Sequence, residues 1–138
     1  INALMMARVI YTRVDKNPAG FSSIWIKQIL RKQMGFQGAV FIDDLNMQGA
    51  AVAGNYAERA RKALDAGCDM ALICNNRPGA WEAVKSLEGY SSPASSLRLA
   101  HLHGKDFYSR DDLTHQQRWK QAKTLLEKYV DEPSMSLL

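Results

Sequence analysis

The sequence predicts an α/β protein with a parallel sheet, because three apolar segments typical of strands are each followed by a loop and an amphipathic helix. The predicted strands span residues 3–11, 38–42 and 69–74. They are apolar at nearly every position, as in strands that are covered on both faces. Parallel neighbours need crossover connections, and the intervening helices provide them.

The first strand–helix pair begins with the apolar run of residues 3–11, which is interrupted by Arg8. A loop rich in turn-forming residues follows. Ser22 or Ser23 can then cap a helix over residues 24–34. Isoleucine and leucine recur along this segment at helical spacing, while its lysines and arginines face outward.

The second and third pairs repeat this pattern. The second strand ends in Asp43 and Asp44, and an amphipathic helix is predicted over residues 56–66. A third helix is predicted over residues 79–87, directly after a proline.

Beyond residue 90 the pattern changes to a serine-rich linker, a short helix over residues 95–103 and a long polar helix over residues 113–129. Asp111 or Thr114 can cap the long helix. This part of the chain lacks the strand–helix alternation, so it is predicted to be a helical extension.

The net charge of +4 does not predict a nucleic-acid-binding protein, because basic and acidic residues alternate along the helices. A nucleic-acid contact stays open as an alternative through one basic group near the C-terminus: Arg110, Arg118, Lys120, Lys123 and Lys128. Nearby acidic residues argue against it: Asp111, Asp112, Glu127, Asp131 and Glu132. We therefore expect no nucleic-acid partner.

The two cysteines, Cys68 and Cys74, would lie roughly 20 Å apart along one predicted strand, too far for a disulfide. Neither has metal-ligand spacing, so both are predicted to be small buried residues of a reducing compartment. No apolar run approaches the ~20 residues of a membrane span. We expect a cytoplasmic protein without a metal or cofactor and without a membrane partner.

Asp43 and Asp44 are the clearest candidates for chemistry, because ligands bind at the carboxyl ends of parallel strands. Alternation along the strand puts Asp43 on the face of Phe41 and Asp44 on the face of Ile42. Only one of the two can point into a given site. Taken alone, the pair is more typical of turn residues that end a strand, one of which caps the next helix.

Residues 29–47 read ILRKQMGFQGAVFIDDLNM: an apolar pair, basic residues, a short spacer, a glycine, an apolar strand and an aspartate. This stretch resembles the nucleophile signature of glycoside hydrolase family 3, above all in the cytoplasmic β-N-acetylglucosaminidases of peptidoglycan recycling. Similar segments cover about the first two-thirds of the chain in order. They are Ala7–Tyr11, Val14–Asp15, Pro18–Ala19, Tyr56–Arg59, Leu64–Met70 and Cys74–Arg77.

The resemblance implies that residues 1–90 form the C-terminal three βα units of a TIM (β/α)8 barrel, followed by a C-terminal helical extension over residues 91–138. It places Asp43 at the nucleophile position and gives Asp44 no catalytic role. The implied reaction is the retaining removal of terminal β-N-acetylglucosamine from peptidoglycan-derived muropeptides (GlcNAc-anhydroMurNAc-peptides). Asp43 is then expected to project into a sugar-sized hollow that the remaining strands complete.

Three strands do not close a barrel and leave two open edges, so the other half of the fold is expected to be missing from this chain. The acid/base His–Asp motif of the family is not found in the sequence. His101, His103 and His115 lie in the poorly matching part and are predicted to be surface or packing residues. We expect the isolated chain to be inactive.

Two positions depart from the family pattern. Ile42 stands where a serine or threonine is usual, which could remove a hydrogen bond that orients the nucleophile. Arg8 stands where a histidine is usual, and it is a candidate substrate-binding residue near the mouth of the site. Either change could lower activity.

Two further interpretations remain open. One is a non-catalytic α/β module that oligomerises through its open sheet edges, and the other is a degenerate remnant of the enzyme. The parent enzyme is expected to be a monomer, whereas this chain can self-associate.

Overall fold

The computed structural model describes residues 1–47, 53–104 and 108–130. The chain divides into two compact regions, Ile1–His103 and Gly104–Leu138. The first region contains a parallel sheet whose strands follow one another in chain order: β1 (Ala3–Met6), β2 (Ala39–Ile42) and β3 (Met70–Ala71). This arrangement confirms the predicted α/β class.

Strand β1 is shorter than predicted. It ends at Met6, although the apolar run extends to Tyr11. Beyond Met6 the backbone bonds to the following loop instead of to β2, because the carbonyl of Val9 accepts from the Ala19 N–H at 3.0 Å. A strand extends only as far as a neighbour pairs with it, and apolar character does not report that pairing.

Strand β3 is also shorter than predicted, since it comprises only Met70–Ala71. At the end of the apolar run the Cys74 N–H donates to the Asp44 side chain at 2.9 Å, not to a strand backbone. Cys74 is exposed, so its predicted burial is wrong. Cys68 is buried as predicted, and burial raises the pKa of its thiol to about 12.

Helices cover one face of the sheet. A π-type helix spans Ile24–Gln33, and three further helices are α1 (Tyr56–Ala66), α2 (Arg77–Ser86) and α3 (Pro93–Ala100). The core that they enclose consists of Ile26, Val40, Ile42, Leu45, Ala60, Ala63, Ala66, Cys68 and Ala83.

The helix starts follow from local capping. The Ser22 hydroxyl accepts from the Trp25 N–H at 3.1 Å, which supports the predicted serine cap. At α1, Asn55 and Glu58 form a reciprocal capping box with both bonds at 2.9 Å. Helix α1 ends at Ala66 and is followed by Gly67, whose φ of 114° disfavours a side chain.

Helices α2 and α3 begin earlier than predicted, because side chains just ahead of them cap the first turn. The Asn76 side chain accepts from the Gly79 N–H at 3.0 Å, so α2 starts at Arg77. The Ser92 hydroxyl accepts from the Ser95 N–H at 3.4 Å and starts α3.

The opposite face of the sheet is not covered by these helices. The register aligns Met5 with Phe41 and Phe41 with Met70, so the three side chains share one face. Met5 is 52% exposed and Met70 is 36% exposed. An apolar sheet face open to solvent is unusual for parallel strands, which are normally covered on both sides.

In the second region the predicted long helix is two helices, α4 (Arg110–His115) and α5 (Gln117–Val130). The break lies at Gln116, whose backbone is extended. The predicted caps Asp111 and Thr114 are wrong, because the Ser109 hydroxyl accepts from the Asp112 N–H at 3.1 Å.

Among the described residues, no helix combines the length and the apolar character that a membrane span requires. Helix α3 lies in the first region, where Ser95 and Arg98 both bond to Asp69. The division into a barrel part up to residue 90 and an extension from residue 91 stays a prediction.

Candidate active site at the end of strand β2

Asp43 directly follows β2, the central strand of the sheet. Its Oδ1 accepts from the Asp44 N–H at 2.8 Å. Its Oδ2 lies 3.8 Å from Nη2 of Arg8, and 39% of its side chain is exposed. The carboxylate is therefore oriented by one backbone bond and one charge while it stays reachable from solvent.

Arg8 comes from the loop after β1 and lies close to Asp43 and Asp44, which form the turn after β2. Its Nη2 donates to the Asp44 carbonyl as well as facing Asp43, and 9% of its side chain is exposed. Nε and Nη1 of Arg8 are buried without a hydrogen-bond acceptor among the described residues. The structure thus brings together the two site residues that the sequence singles out.

Asp44 points away from Asp43 and ties the end of β2 to the loop after β3. Its Oδ1 accepts from the Asn46 N–H and from the Cys74 N–H, both at 2.9 Å. The Leu45 N–H donates to the Leu72 carbonyl at 2.8 Å and continues this connection. Asp44 therefore stabilises the connection between the loops that follow β2 and β3.

Ile42 does not share a face of the sheet with the Asp43 carboxylate. It is fully buried in the core on the helix-covered face. A Cβ placed on Gly20 would be 3.0 Å from its side chain, so the two residues pack closely. Side chains at 42 and 43 alternate across the sheet, so Ile42 and Asp43 lie on opposite faces, and the effect of Ile42 on activity stays a prediction.

A polar cluster beside this turn was not predicted from the sequence. The Tyr56 hydroxyl donates to Oδ1 of Asn46 at 2.5 Å, and the Asn76 side-chain amide donates to the Tyr56 hydroxyl at 2.7 Å. Arg59 donates to the Leu45 carbonyl at 2.7 Å. Tyr56 and Arg59 belong to a segment that resembles the family, and Asn76 to another, but spacing alone gave them no role.

The three histidines are exposed, as predicted for surface residues. His115 contacts the Asp111 carbonyl at 2.8 Å within its own helix. In the described ranges, no group of three or more histidine, cysteine, aspartate or glutamate residues is arranged to hold a metal ion.

Two cavities of about 550 and 590 Å³ are lined by other residues than Asp43. The larger lies against Leu4, Leu30 and Phe36, and the other lies beside Asp15, Phe21 and Lys62. The expected sugar-sized hollow around Asp43 is not formed by either of them. Asp43 instead borders the uncovered side of the sheet.

The family model for the glycosyl hydrolase family 3 N-terminal domain matches residues 1–100, which include all three strands and the Asp43–Asp44 turn. The chain belongs to this family. The match confirms the resemblance of the sequence to glycoside hydrolase family 3.

The curated relatives carry a consistent name. A β-hexosaminidase from Thioalkalivibrio sulfidiphilus is 42% identical over 134 residues, which cover 97% of this chain and 39% of the relative. A β-hexosaminidase from Thiobacillus denitrificans is 56% identical over 103 residues, which cover 74% of this chain and 28% of the relative. The chain therefore spans less than half the length of the relatives that it matches.

Solved structures give the same picture of the fold. NagZ from Neisseria gonorrhoeae, in complex with zinc ion, has a TM-score of 0.70 and 33% identity over 90% of this chain and 35% of that one. A family 3 β-N-acetylglucosaminidase from Paenibacillus has a TM-score of 0.70 and 26% identity over 93% of this chain and 28% of that one.

Proposed function

We propose that this chain supplies the nucleophile-bearing part of a retaining β-N-acetylhexosaminidase, with Asp43 as the nucleophile. The observation that carries the proposal is the half-exposed carboxylate at the carboxyl end of the central parallel strand. In barrel enzymes this end bears the catalytic groups. The β-hexosaminidase names of the curated relatives support the same reaction class.

The reaction would run as a double displacement. An oxygen of Asp43 forms a bond to the anomeric carbon while the bond to the leaving oxygen breaks, and an acid outside the described residues protonates that oxygen. Water then attacks the anomeric carbon and gives its proton to the conjugate base of that acid, while the bond to Asp43 breaks and the carboxylate is released. Oδ2 suits the attack, because it accepts no hydrogen bond from the described residues while Oδ1 is held by the Asp44 N–H.

The open face of the sheet supports the proposal that residues 1–90 are three βα units of a (β/α)8 barrel. Helices lie on one side, as on the outside of a barrel, and Met5, Phe41 and Met70 lie on the other side. In a closed barrel such inward side chains fill the interior. Further strands would cover them and would complete the walls around Asp43.

Arg8 would act beside the nucleophile in this site. Its Nη2 lies 3.8 Å from Oδ2 of Asp43, so its charge would help to hold the attacking carboxylate in place, and the same group is the candidate contact for an acceptor on the sugar.

Finer features of the proposal rest on the resemblance. They are muropeptide-derived substrates, a cytoplasmic location and a monomeric parent enzyme. Two free cysteines fit a reducing compartment.

A chimeric enzyme tests the proposed reaction. The matching segment of the Thiobacillus denitrificans β-hexosaminidase would be replaced by the segment of this chain, which is 56% identical over 103 residues. The readout is hydrolysis of a chromogenic aryl β-N-acetylglucosaminide. We expect the chimera to be active and the Asp43→Asn variant to lose at least about 10³-fold in kcat.

Asp65→Asn is the matched control, because Asp65 is an exposed aspartate of α1. It is expected to change kcat by less than about two-fold. Azide added to an Asp43→Gly variant should restore turnover and give an α-glycosyl azide, since a small anion can occupy the space of the carboxylate. Undiminished activity of Asp43→Asn would refute the assignment of Asp43.

The open sheet face also favours a second candidate function, a non-catalytic module that self-associates. Sedimentation of the isolated chain, together with the activity of the chimera, distinguishes the enzyme part from the self-associating module. A stable symmetric oligomer together with an inactive chimera would favour the module.

A further inference from the structure

We propose that Tyr56 is a positioning residue for the nucleophile and acts through the turn that carries Asp43. This inference rests on the proposed function, because it assigns a role within the same site. Nothing in the sequence pattern assigned this role, which follows from contacts between α1 and the end of β2.

Three hydrogen bonds, each sharing a residue with the next, connect Tyr56 to Asp43 through Asn46 and Asp44. The Tyr56 hydroxyl donates to the Asn46 side chain at 2.5 Å, and the Asn46 N–H donates to Oδ1 of Asp44 at 2.9 Å. The Asp44 N–H in turn donates to Oδ1 of Asp43 at 2.8 Å. A displacement of Asn46 therefore moves the backbone group that orients the carboxylate.

The Tyr56 ring is itself held in place. The Arg59 guanidinium lies 4.8 Å from the ring centroid, within the range of a cation–π contact. A Cβ on Gly79 would approach ring atoms to 2.8 Å, so the ring packs directly on the backbone of α2. A fixed ring gives the hydroxyl a defined direction, which a mobile surface tyrosine would lack.

Neighbouring bonds hold the other members of the turn. Arg59 donates to the Leu45 carbonyl at 2.7 Å, and Asn76 donates to the Tyr56 hydroxyl at 2.7 Å while its own oxygen caps α2. The Tyr56 hydroxyl thus joins the loops that follow β2 and β3. Supporting contacts of this kind set the geometry of a reacting group, and errors of an ångström can lower rates by about 100-fold.

The test uses Tyr56→Phe in the chimeric enzyme. The ring and its packing remain, and only the hydroxyl is lost. We expect kcat for the chromogenic substrate to fall by about 10-fold while KM stays within about two-fold. Azide rescue of Asp43→Gly should not depend on Tyr56, because azide needs no orientation by the turn.

Tyr90→Phe is the matched control. Its ring also lies near a guanidinium, that of Arg61 at 5.4 Å, but its hydroxyl has no partner among the described residues. We expect no change in kcat for it. Asn46→Ala provides a second variant, and its effect on kcat should not add to that of Tyr56→Phe, since both break the same bond.

The outcomes separate this inference from the proposed function. If Asp43→Asn abolishes turnover while Tyr56→Phe matches Tyr90→Phe, the role of Tyr56 is refuted and that of Asp43 stands. Fully additive effects of Tyr56→Phe and Asn46→Ala would also refute it. If Asp43→Asn retains activity, both proposals fall.

Discussion

Two aspartates at opposite ends of the sheet differ in how completely they are bonded. Asp69 immediately precedes β3, and its side chain is 1% exposed. Its carboxylate accepts from the Val40 N–H, Arg31, Ser95 and Arg98 at 2.6–2.9 Å. Asp43, at the carboxyl end of β2, has one such bond and is 39% exposed.

Asp69 is bonded as expected of a residue that stabilises the fold, whereas Oδ2 of Asp43 accepts no hydrogen bond from the described residues. A carboxylate with every lone pair engaged can hold the fold, but it cannot attack a substrate. A half-exposed carboxylate with a free oxygen can. The amino ends of barrel strands generally serve stability and the carboxyl ends serve catalysis.

The largest effect on stability is expected at Asp69. Asp69→Ala leaves the Arg31 and Arg98 charges without their buried partner, so it should lower the free energy of unfolding by about 3–5 kcal/mol. Urea unfolding at neutral pH measures this in the full chain. Asp65→Ala, an exposed aspartate, should stay within about 0.5 kcal/mol, and equal effects of the two variants would contradict the comparison.

A smaller effect on stability is expected at Ile42, where core packing can be tested separately from any effect on the Asp43 carboxylate. Ile42→Val should cost about 0.5–1.5 kcal/mol of stability. Threonine has nearly the same shape as valine but places a hydroxyl in the core. Ile42→Thr should therefore cost about 1–3 kcal/mol more stability than Ile42→Val. We expect both variants to have the same kcat in the chimera. A higher kcat for the threonine variant would indicate that a hydroxyl at position 42 orients Asp43.

The features of the fold and of the candidate site that depend on local sequence pattern could be predicted from the sequence. The strand–helix alternation predicted parallel strands, and the segment around Asp43 predicted the family. The strand lengths were overestimated because hydrogen-bond partners of Val9 and Cys74 are set by distant parts of the chain. The hydrogen bonds of Asp69 and of Tyr56 join residues that are 10 to 38 positions apart in the sequence. The hydrophobic periodicity of single elements does not reveal such contacts.

The pH dependence should be the smallest effect. Burial alone would raise the pKa of Asp69, but hydrogen bonds from Val40, Ser95 and Arg98 and the charge of Arg31 outweigh it and lower the pKa. The charged form therefore stabilises the fold above the pKa of an unfolded aspartate, about 3.9. This contribution is lost as the pH falls through the lower folded-state pKa.

Acid titration of stability measures this contribution. The unsubstituted chain should lose more stability than Asp69→Asn as the pH is lowered below about 4, because only the former has the carboxylate to protonate. Parallel curves of stability against pH for the two proteins would show that ionisation of Asp69 does not contribute to this pH dependence.

The most direct measurement is covalent trapping on the chimeric enzyme. An activated 5-fluoro analogue of β-N-acetylglucosamine destabilises the oxocarbenium-like transition state and lets the glycosyl-enzyme accumulate. Mass spectrometry of the proteolysed protein should then find the sugar on Asp43. A label on Asp44 or elsewhere, or inhibition without any covalent label, would contradict the account.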